Sequence, residues 1–295
     1  MTAEPIGLIG LEPVKSIPVI NSIEALAARY DALLCDAWGV IHDGVTLFPG
    51  VSGALTRFRE TRGPVVILTN APRPSFVIPP QLDRIGLPRS AYDCVVTSGD
   101  ATRAAIEARL PSPAYKLGPS KDDPLFDGMA IEFVPLEEAG FIICTGMEDD
   151  RHETPDAYRD FLTRAAKRKL PMVCANPDIV VNWGGRMIWC AGALAEIYES
   201  LGGGVTYGGK PHAPIYDLAL TRIEEIRGPT DRKRILAVGD GLRTDILGAN
   251  TQNIDVLMIA GDGGVHEGGR DAAAVAAQME KAGVYAIAAA EALQW

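Results

Sequence analysis

Ile235-Leu236-Ala237-Val238-Gly239-Asp240-Gly241-Leu242-Arg243-Thr244-Asp245-Ile246 joins a short apolar run to two carboxylates, one at the end of the run and one five residues on. Two earlier stretches share the form: Ala32-Leu33-Leu34-Cys35 runs into Asp36, and Val65-Val66-Ile67-Leu68 runs into Thr69-Asn70. Apolar runs this short, bounded by turn residues, read as strands buried on both faces. In an open α/β sheet, ligands bind beyond the carboxyl ends of such strands. The three polar ends therefore point to one site, made of a carboxylate, a hydroxyl-amide pair and a second carboxylate. That set suits a divalent cation and a phosphate.

Around this frame, composition sets limits. A chain of 295 residues is long for one compact unit, so two domains are expected. The formal net charge of −10 argues against nucleic acid as a partner, since backbone binding needs clustered Lys and Arg. The one basic cluster, Lys167-Arg168-Lys169, reads as a solvated helix end. Five scattered cysteines, none in a Cys-x-x-Cys pair, indicate neither a zinc site nor a disulfide framework, and a reducing cytoplasm is the simplest location. The first residues carry Glu4 and are broken by Pro5, Pro13 and Pro18, a poor signal peptide. No apolar stretch approaches the roughly 20 residues a membrane span requires.

Along the chain, strand and helix signals alternate. Residues 1–19 read as an extended N-terminal extension. Helices are expected over 22–30, 51–62, 81–86, 99–110 entered by Asp100, 154–169 with Pro155 in its first turn, 191–201, 214–226, and 244–250 with Thr244 as N-cap. Further strands are expected over 92–97, 141–145, 172–175 and 254–259. The fold class is α/β: a Rossmann-like, doubly wound parallel sheet core over 20–85 and 206–295, with an inserted α/β cap domain over 86–205.

Each polar segment has its own chemistry. Asp36 opens Asp36-Ala37-Trp38-Gly39-Val40, where a carboxylate can attack phosphorus or merely cap a turn. Thr69-Asn70 offers donors to phosphoryl oxygens or is a polar turn. Gly208-Gly209-Lys210-Pro211 puts a cation on a glycine turn, where it can offset anionic repulsion. Gly204 to Lys210 also fits part of a nucleotide-binding loop, but Pro211 stands where Ser or Thr should hold the metal, which excludes that reading. Asp240 and Asp245 can face one pocket as ligands of a hard cation such as Mg²⁺.

Taken together, these four segments resemble the haloacid dehalogenase superfamily, whose motifs occur in this order. The nearest subclass carries a large cap after the second motif and includes 4-nitrophenylphosphatase-like and pyridoxal phosphatase-like enzymes. The resemblance spans about residues 25–262 and includes Val96-Thr97-Ser98-Gly99, Ala175-Asn176-Pro177-Asp178 and Cys190-Ala191-Gly192-Ala193. Asp36 and Thr69 are 33 residues apart, too few to hold a cap, whereas Thr69 and Lys210 are 141 apart. The resemblance implies an Mg²⁺-dependent phosphatase of small phosphorylated metabolites that works through an aspartyl-phosphate. It implies Asp36 as nucleophile and metal ligand and the Trp38 carbonyl as a second ligand. Thr69 and Asn70 would hold the phosphoryl group, Lys210 would neutralise charge, and Asp240 and Asp245 would complete the metal site. Asn176 and Asp178, on the cap, would approach the leaving group. Cap-to-cap dimers occur among similar proteins, so a homodimer is an expectation of the same kind.

The pattern breaks at Trp38. Phosphatases of the family carry there an Asp that protonates the leaving group and then deprotonates water. Indole is a donor only, and losing a positioned acid–base costs about 10²–10⁴-fold in rate. His42 and Asp43 lie near enough in sequence to substitute. Trp38 itself reads as packing against the cap or stacking on a substrate ring. A catalytically impaired relative that binds a phosphorylated ligand or a partner is an alternative, as is attack on carbon in the manner of the haloacid dehalogenases themselves, although that chemistry works without a metal and with a cap after the first motif. Lys121-Asp122-Asp123 and Arg186 have two readings, facing the cleft or lying as solvated surface positions, and the second is preferred.

Overall fold

The computed structural model describes residues 17–261 and 272–295, so most of the expected extension over 1–19 lies outside the described residues. Twelve strands are described: β1 Ala32–Cys35, β2 Val65–Thr69, β3 Cys94–Thr97, β4 Ala114–Leu117, β5 Phe141–Cys144, β6 Met172–Cys174, β7 Val180–Trp183, β8 Arg186–Trp189, β9 Val205–Tyr207, β10 Ile235–Gly239, β11 Asp255–Ile259 and β12 Ala288–Ala290. The helices are α1 Glu24–Ala27, α2 Val51–Thr61, α3 Ile78–Arg84, α4 Ser98–Glu107, α5 Arg159–Lys167, α6 Ala191–Ser200, α7 Ala213–Arg227, α8 Leu247–Thr251 and α9 Ala272–Ala282.

Alternation along β1 shows how the large sheet is held. Leu33 and Cys35 join one apolar cluster with Phe58 of α2 and Ile67 of β2. Ala32 and Leu34 join a second with Ile215, Tyr216 and Ala219 of α7. Successive side chains of a strand point to opposite faces, so one four-residue run is covered on both sides, and all four residues are buried. The sheet runs β12-β11-β10-β1-β2-β3, parallel throughout. From β1 the chain winds outward through β2 and β3, then returns to the other side of β1 as β10. The carboxyl ends of β1 and β10 thus flank the point where the winding reverses, where open α/β sheets open a crevice.

A second parallel sheet, β4-β5-β6-β9, and the antiparallel pair β7–β8 lie between β3 and β10 in sequence. The second sheet is sandwiched likewise: Ile142 and Cys144 pack with Leu194 and Tyr198 of α6, and Phe141 and Ile143 with Ile106 of α4. No described helix is long and apolar enough to cross a membrane.

Several expectations need correction. Cys94–Thr97, placed by its spacing inside the inserted segment 86–205, pairs with β2 in the large sheet, with Thr69 opposite Thr97. Val205–Tyr207 extends past residue 205 and pairs with β6 in the small sheet. An edge strand and the first strand of an insertion carry the same apolar run, and spacing does not separate them. Thr97, not Asp100, caps α4: its side chain accepts from Asp100 N at 3.0 Å. Thr244 caps nothing. Asp245 N and Ile246 N both donate to Gly241 O, at 2.9 and 3.0 Å, so the chain makes a wide π turn over Leu242–Ile246 before α8.

Candidate active site

β1 delivers Asp36, whose backbone N–H donates to Val238 O of β10 at 2.9 Å and so continues the ladder one residue past the strand. Asp240 follows β10 directly, and the π turn brings Asp245 back toward both. Carboxylate oxygens of Asp36, Asp240 and Asp245 all lie within 4.8 Å of one another. The three residues are buried, none more than 7% exposed.

Lys210 enters from the loop after β9. Its ammonium donates to Asp36 Oδ1 at 2.5 Å and to Asp245 Oδ1 at 2.7 Å. Asn70, one residue beyond β2, fixes that loop: its Oδ1 accepts from Lys210 N at 2.8 Å, and its Nδ2 donates to Lys210 O at 3.1 Å. Gly241 N donates to Asp245 Oδ2 at 3.1 Å. Thr69 Oγ1 accepts from Ala71 N at 3.3 Å, which leaves its hydroxyl proton available to a ligand.

Among the described residues, two of these three buried carboxylates share the Lys210 ammonium. Desolvation, then the charge of Asp245, pushes the Asp36 carboxyl well above the usual carboxylate range, against the pull of Lys210. Desolvation works the other way on Lys210, but Asp245 and Asp36 outweigh it and hold the ammonium well above its ordinary pKa. The donors this cluster offers toward a cation are oxygens, the ligand set of a hard divalent ion.

Backbone freedom is needed at Gly39. Its φ is +79°, and a Cβ there would stand 2.4 Å from Asp240 Oδ2. Gly39→Ala is expected to push the Asp240 carboxylate aside, raising the metal concentration needed for half-maximal activity at least about 10-fold, the scale of losses around metal ligands. A metal titration of activity checks this, and an unchanged midpoint contradicts it.

Asp36, Trp38, Thr69, Asn70, Asp178, Lys210, Asp240 and Asp245 all line one small cleft of about 30 Å³. Asn176 lies outside it and lines an adjoining cavity of about 380 Å³. His42 and Asp43 line neither. His42 is 1% exposed, its Nδ1 accepts from Gly44 N at 2.9 Å, and burial lowers its pKa to about 4. Asp43 is occupied with a local turn, accepting from Val45 N and Thr46 N at 2.9 and 2.6 Å. Trp38 packs against the apolar cluster of the large sheet, and its ring meets His42 edge-on at 5.1 Å; Gly44 lies beside both this ring and Trp183 of β7.

The larger cavity holds what the sequence reading missed. Arg73, Lys121, Asp122, Arg151 and Trp183 line it. Asp122, expected on the surface, is 2% exposed, and burial pushes it up to about 6 despite Lys121 and Arg73 nearby. Asp123 and Arg186 do lie outside the cavity. The β7–β8 hairpin was signalled by Trp183-Gly184-Gly185-Arg186: two glycines between β-rich runs mark a tight hairpin turn, and both have positive φ, +56° and +86°.

Comparison with known proteins agrees with this geometry. Residues 33–130 match a family model described as haloacid dehalogenase-like hydrolase, and residues 207–282 match one described as HAD-hydrolase-like. A solved hydrolase of the haloacid dehalogenase-like family from Brucella suis 1330 is 44% identical, with 93% of this chain and 99% of that one covered and a TM-score of 0.85. The chain belongs to the haloacid dehalogenase-like hydrolase family. More distant structures share the fold. One is described as a possible sugar phosphatase from Cytophaga hutchinsonii (22% identity, 92% and 97% coverage, TM-score 0.76). Another is a glycerol phosphate phosphatase from Mycobacterium tuberculosis in complex with magnesium (23% identity, 84% and 72% coverage, TM-score 0.61). Among curated proteins none matches the chain.

Proposed function

We propose that this hydrolase is an Mg²⁺-dependent phosphatase of small phosphate monoesters that works through an aspartyl-phosphate on Asp36. One observation carries the reading: three buried carboxylates converge within 4.8 Å, two of them bound to a single lysine. The donor set fits the ion, since it is all oxygen and buried. Asp36 and Asp240, with the backbone carbonyl of Trp38, would hold Mg²⁺, and Asp245 would support it. When bound, the ion supplies charge neutralisation for the incoming phosphoryl oxygens. The magnesium complex and the phosphatase descriptions of the distant relatives favour the same reading.

The chain's own groups divide the work. Asp36 carries the attacking oxygen, held in line by Lys210 and by its place at the strand end. Thr69 and the backbone after β2 donate to the phosphoryl oxygens. Lys210, drawn toward Asp36 and Asp245, offsets charge that grows as the phosphoryl group transfers. Attack forms the Asp36 Oδ–P bond and breaks the ester P–O bond. Water then cleaves the acyl phosphate and restores Asp36. The inserted strands and helices, which close over this cleft through Asp178 and β7–β8, act as the cap.

Trp38 favours a second reading, an impaired relative that binds phosphorylated ligands without turning them over. Phosphate release from a panel of aryl, alkyl and sugar phosphates, with Mg²⁺ and with chelator, separates the two. Metal-dependent turnover of any ester supports the phosphatase. Background turnover with tight, metal-dependent phosphate binding supports the second reading instead.

A further inference from the structure

An alkyl phosphate must leave with a proton, and the indole at position 38 has none to give near neutral pH. The structure shows where that proton has to be delivered. The small cleft holding Asp36 and Lys210 adjoins the larger cavity, the space available to the rest of an ester. Three residues line both: Trp38, Asp178 and Val181. A phosphoryl group seated against Asp36, with its leaving group in the larger cavity, places the bridging oxygen at this passage. Of the three side chains there, only the carboxyl of Asp178 can exchange a proton.

Asp178 is also held for that work. Its Oδ1 accepts from Asn70 Nδ2 at 2.8 Å, and its backbone N–H donates to Asn176 Oδ1 at 3.0 Å. The same Asn70 side chain binds both N and O of Lys210, so one amide registers the cap carboxyl against the lysine of the core. Asp178 Oδ2 has no hydrogen-bond partner among the described residues. We propose that Asp178, reaching the site from the inserted unit, does the acid–base work that Trp38 cannot.

This assignment rests on the phosphatase reading and adds a residue to it. In the first step Asp36 Oδ bonds to phosphorus as the ester P–O bond breaks, and the proton on Asp178 passes to the leaving oxygen, giving an alcohol. In the second, the Asp178 carboxylate takes a proton from water as the water oxygen bonds to phosphorus. The Asp36 Oδ–P bond breaks, phosphate leaves, and both carboxyls return to their starting states. Burial supports the role: it pushes Asp178 up to about 6, with Lys210 and Asn70 pulling down and Asp245 pushing up.

The test compares esters that need a proton with esters that do not. Asp178→Asn is expected to lower steady-state hydrolysis of glycerol phosphate by about 10²-fold or more. With 4-nitrophenyl phosphate the same variant should release one equivalent of nitrophenolate within a few-fold of the wild-type rate. It should then stall, because water is no longer deprotonated. Adding Trp38→Asp to Asp178→Asn should restore glycerol phosphate hydrolysis at least 10-fold, whereas Trp38→Asp alone gains little. In the wild type, rates across aryl and alkyl phosphates should depend only weakly on leaving-group basicity, a measurement that needs no variant. A steep dependence overturns the assignment. So does an Asp178→Asn variant that hydrolyses glycerol phosphate normally, or one that slows phosphorylation by both esters equally. A wild type inactive on every ester overturns the phosphatase reading itself, and this assignment with it.

Discussion

Asp36→Asn should abolish Mg²⁺-dependent phosphate release, a loss on the order of 10⁴-fold or more, as expected when a nucleophile is removed outright. The amide keeps the shape of the side chain and its oxygen can still accept from Lys210, but it cannot form the acyl phosphate. Folding should survive. Desolvation and the facing charges of Asp245 and Asp240 make an ionised Asp36 costly in the metal-free cleft, so a neutral isostere relieves repulsion, and Lys210 retains Asp245. The metal-free variant is expected to melt no lower than the wild type by calorimetry, which separates a lost nucleophile from a lost fold. Substantial residual turnover assigns the attack to another group.

Lys210→Met should act on stability and activity together. The residue is 2% exposed, and its ammonium joins Asp36 to Asp245. Removing one partner of a buried ionic cluster leaves uncompensated charge and costs roughly 3–5 kcal/mol. For a chain of this size that lowers the melting temperature by roughly 10 °C. Loss of one electrostatic contact to the developing charge should reduce turnover by about 10²–10³-fold. Added Mg²⁺ should recover part of the lost stability, because a cation then meets the same carboxylates, but not the turnover. Thermal melts with and without metal, beside a phosphate-release assay, check both halves. A metal-free variant that melts with the wild type means the cluster is not held by charge.

Much of this arrangement is legible in the sequence because it rests on strand ends. An apolar run that stops at a carboxylate fixes both the strand and the position of its last polar group, so Asp36, Thr69-Asn70 and Asp240 could be placed at one sheet edge from pattern alone. Other features depend on neighbours that the local sequence does not name. Ala288–Ala290 becomes a strand although three alanines carry no strand preference, because it is buried beside β11. Leu242–Ile246 forms a π turn where Thr244 looked like an ordinary N-cap, because the wide turn lets Asp245 swing back to Lys210. β3 reads like the start of the insertion until its pairing with β2 is seen.

The large cavity was the least legible part. Its walls come from the loops after β1 and β2, α3, the segment after β4, the loop after β5, the segment after β6 and the β7–β8 hairpin. No spacing rule links Arg73, Lys121 and Trp183, which meet only once the inserted unit folds back on the sheet. Where the hairpin docks, the contact is small and specific: Gly184 N donates to Asp43 O at 3.0 Å. Trp38 and Asp178, which line both cavities, thus come from segments far apart in the chain.

The central claim is that Asp36 becomes covalently phosphorylated in a metal-dependent step. Acid quenching during turnover of a phosphate ester, followed by borohydride reduction and peptide mass spectrometry, reads this directly. The account predicts homoserine at position 36 only when both Mg²⁺ and ester are present. Reduction at no residue under turnover, or at a residue other than Asp36, would contradict it.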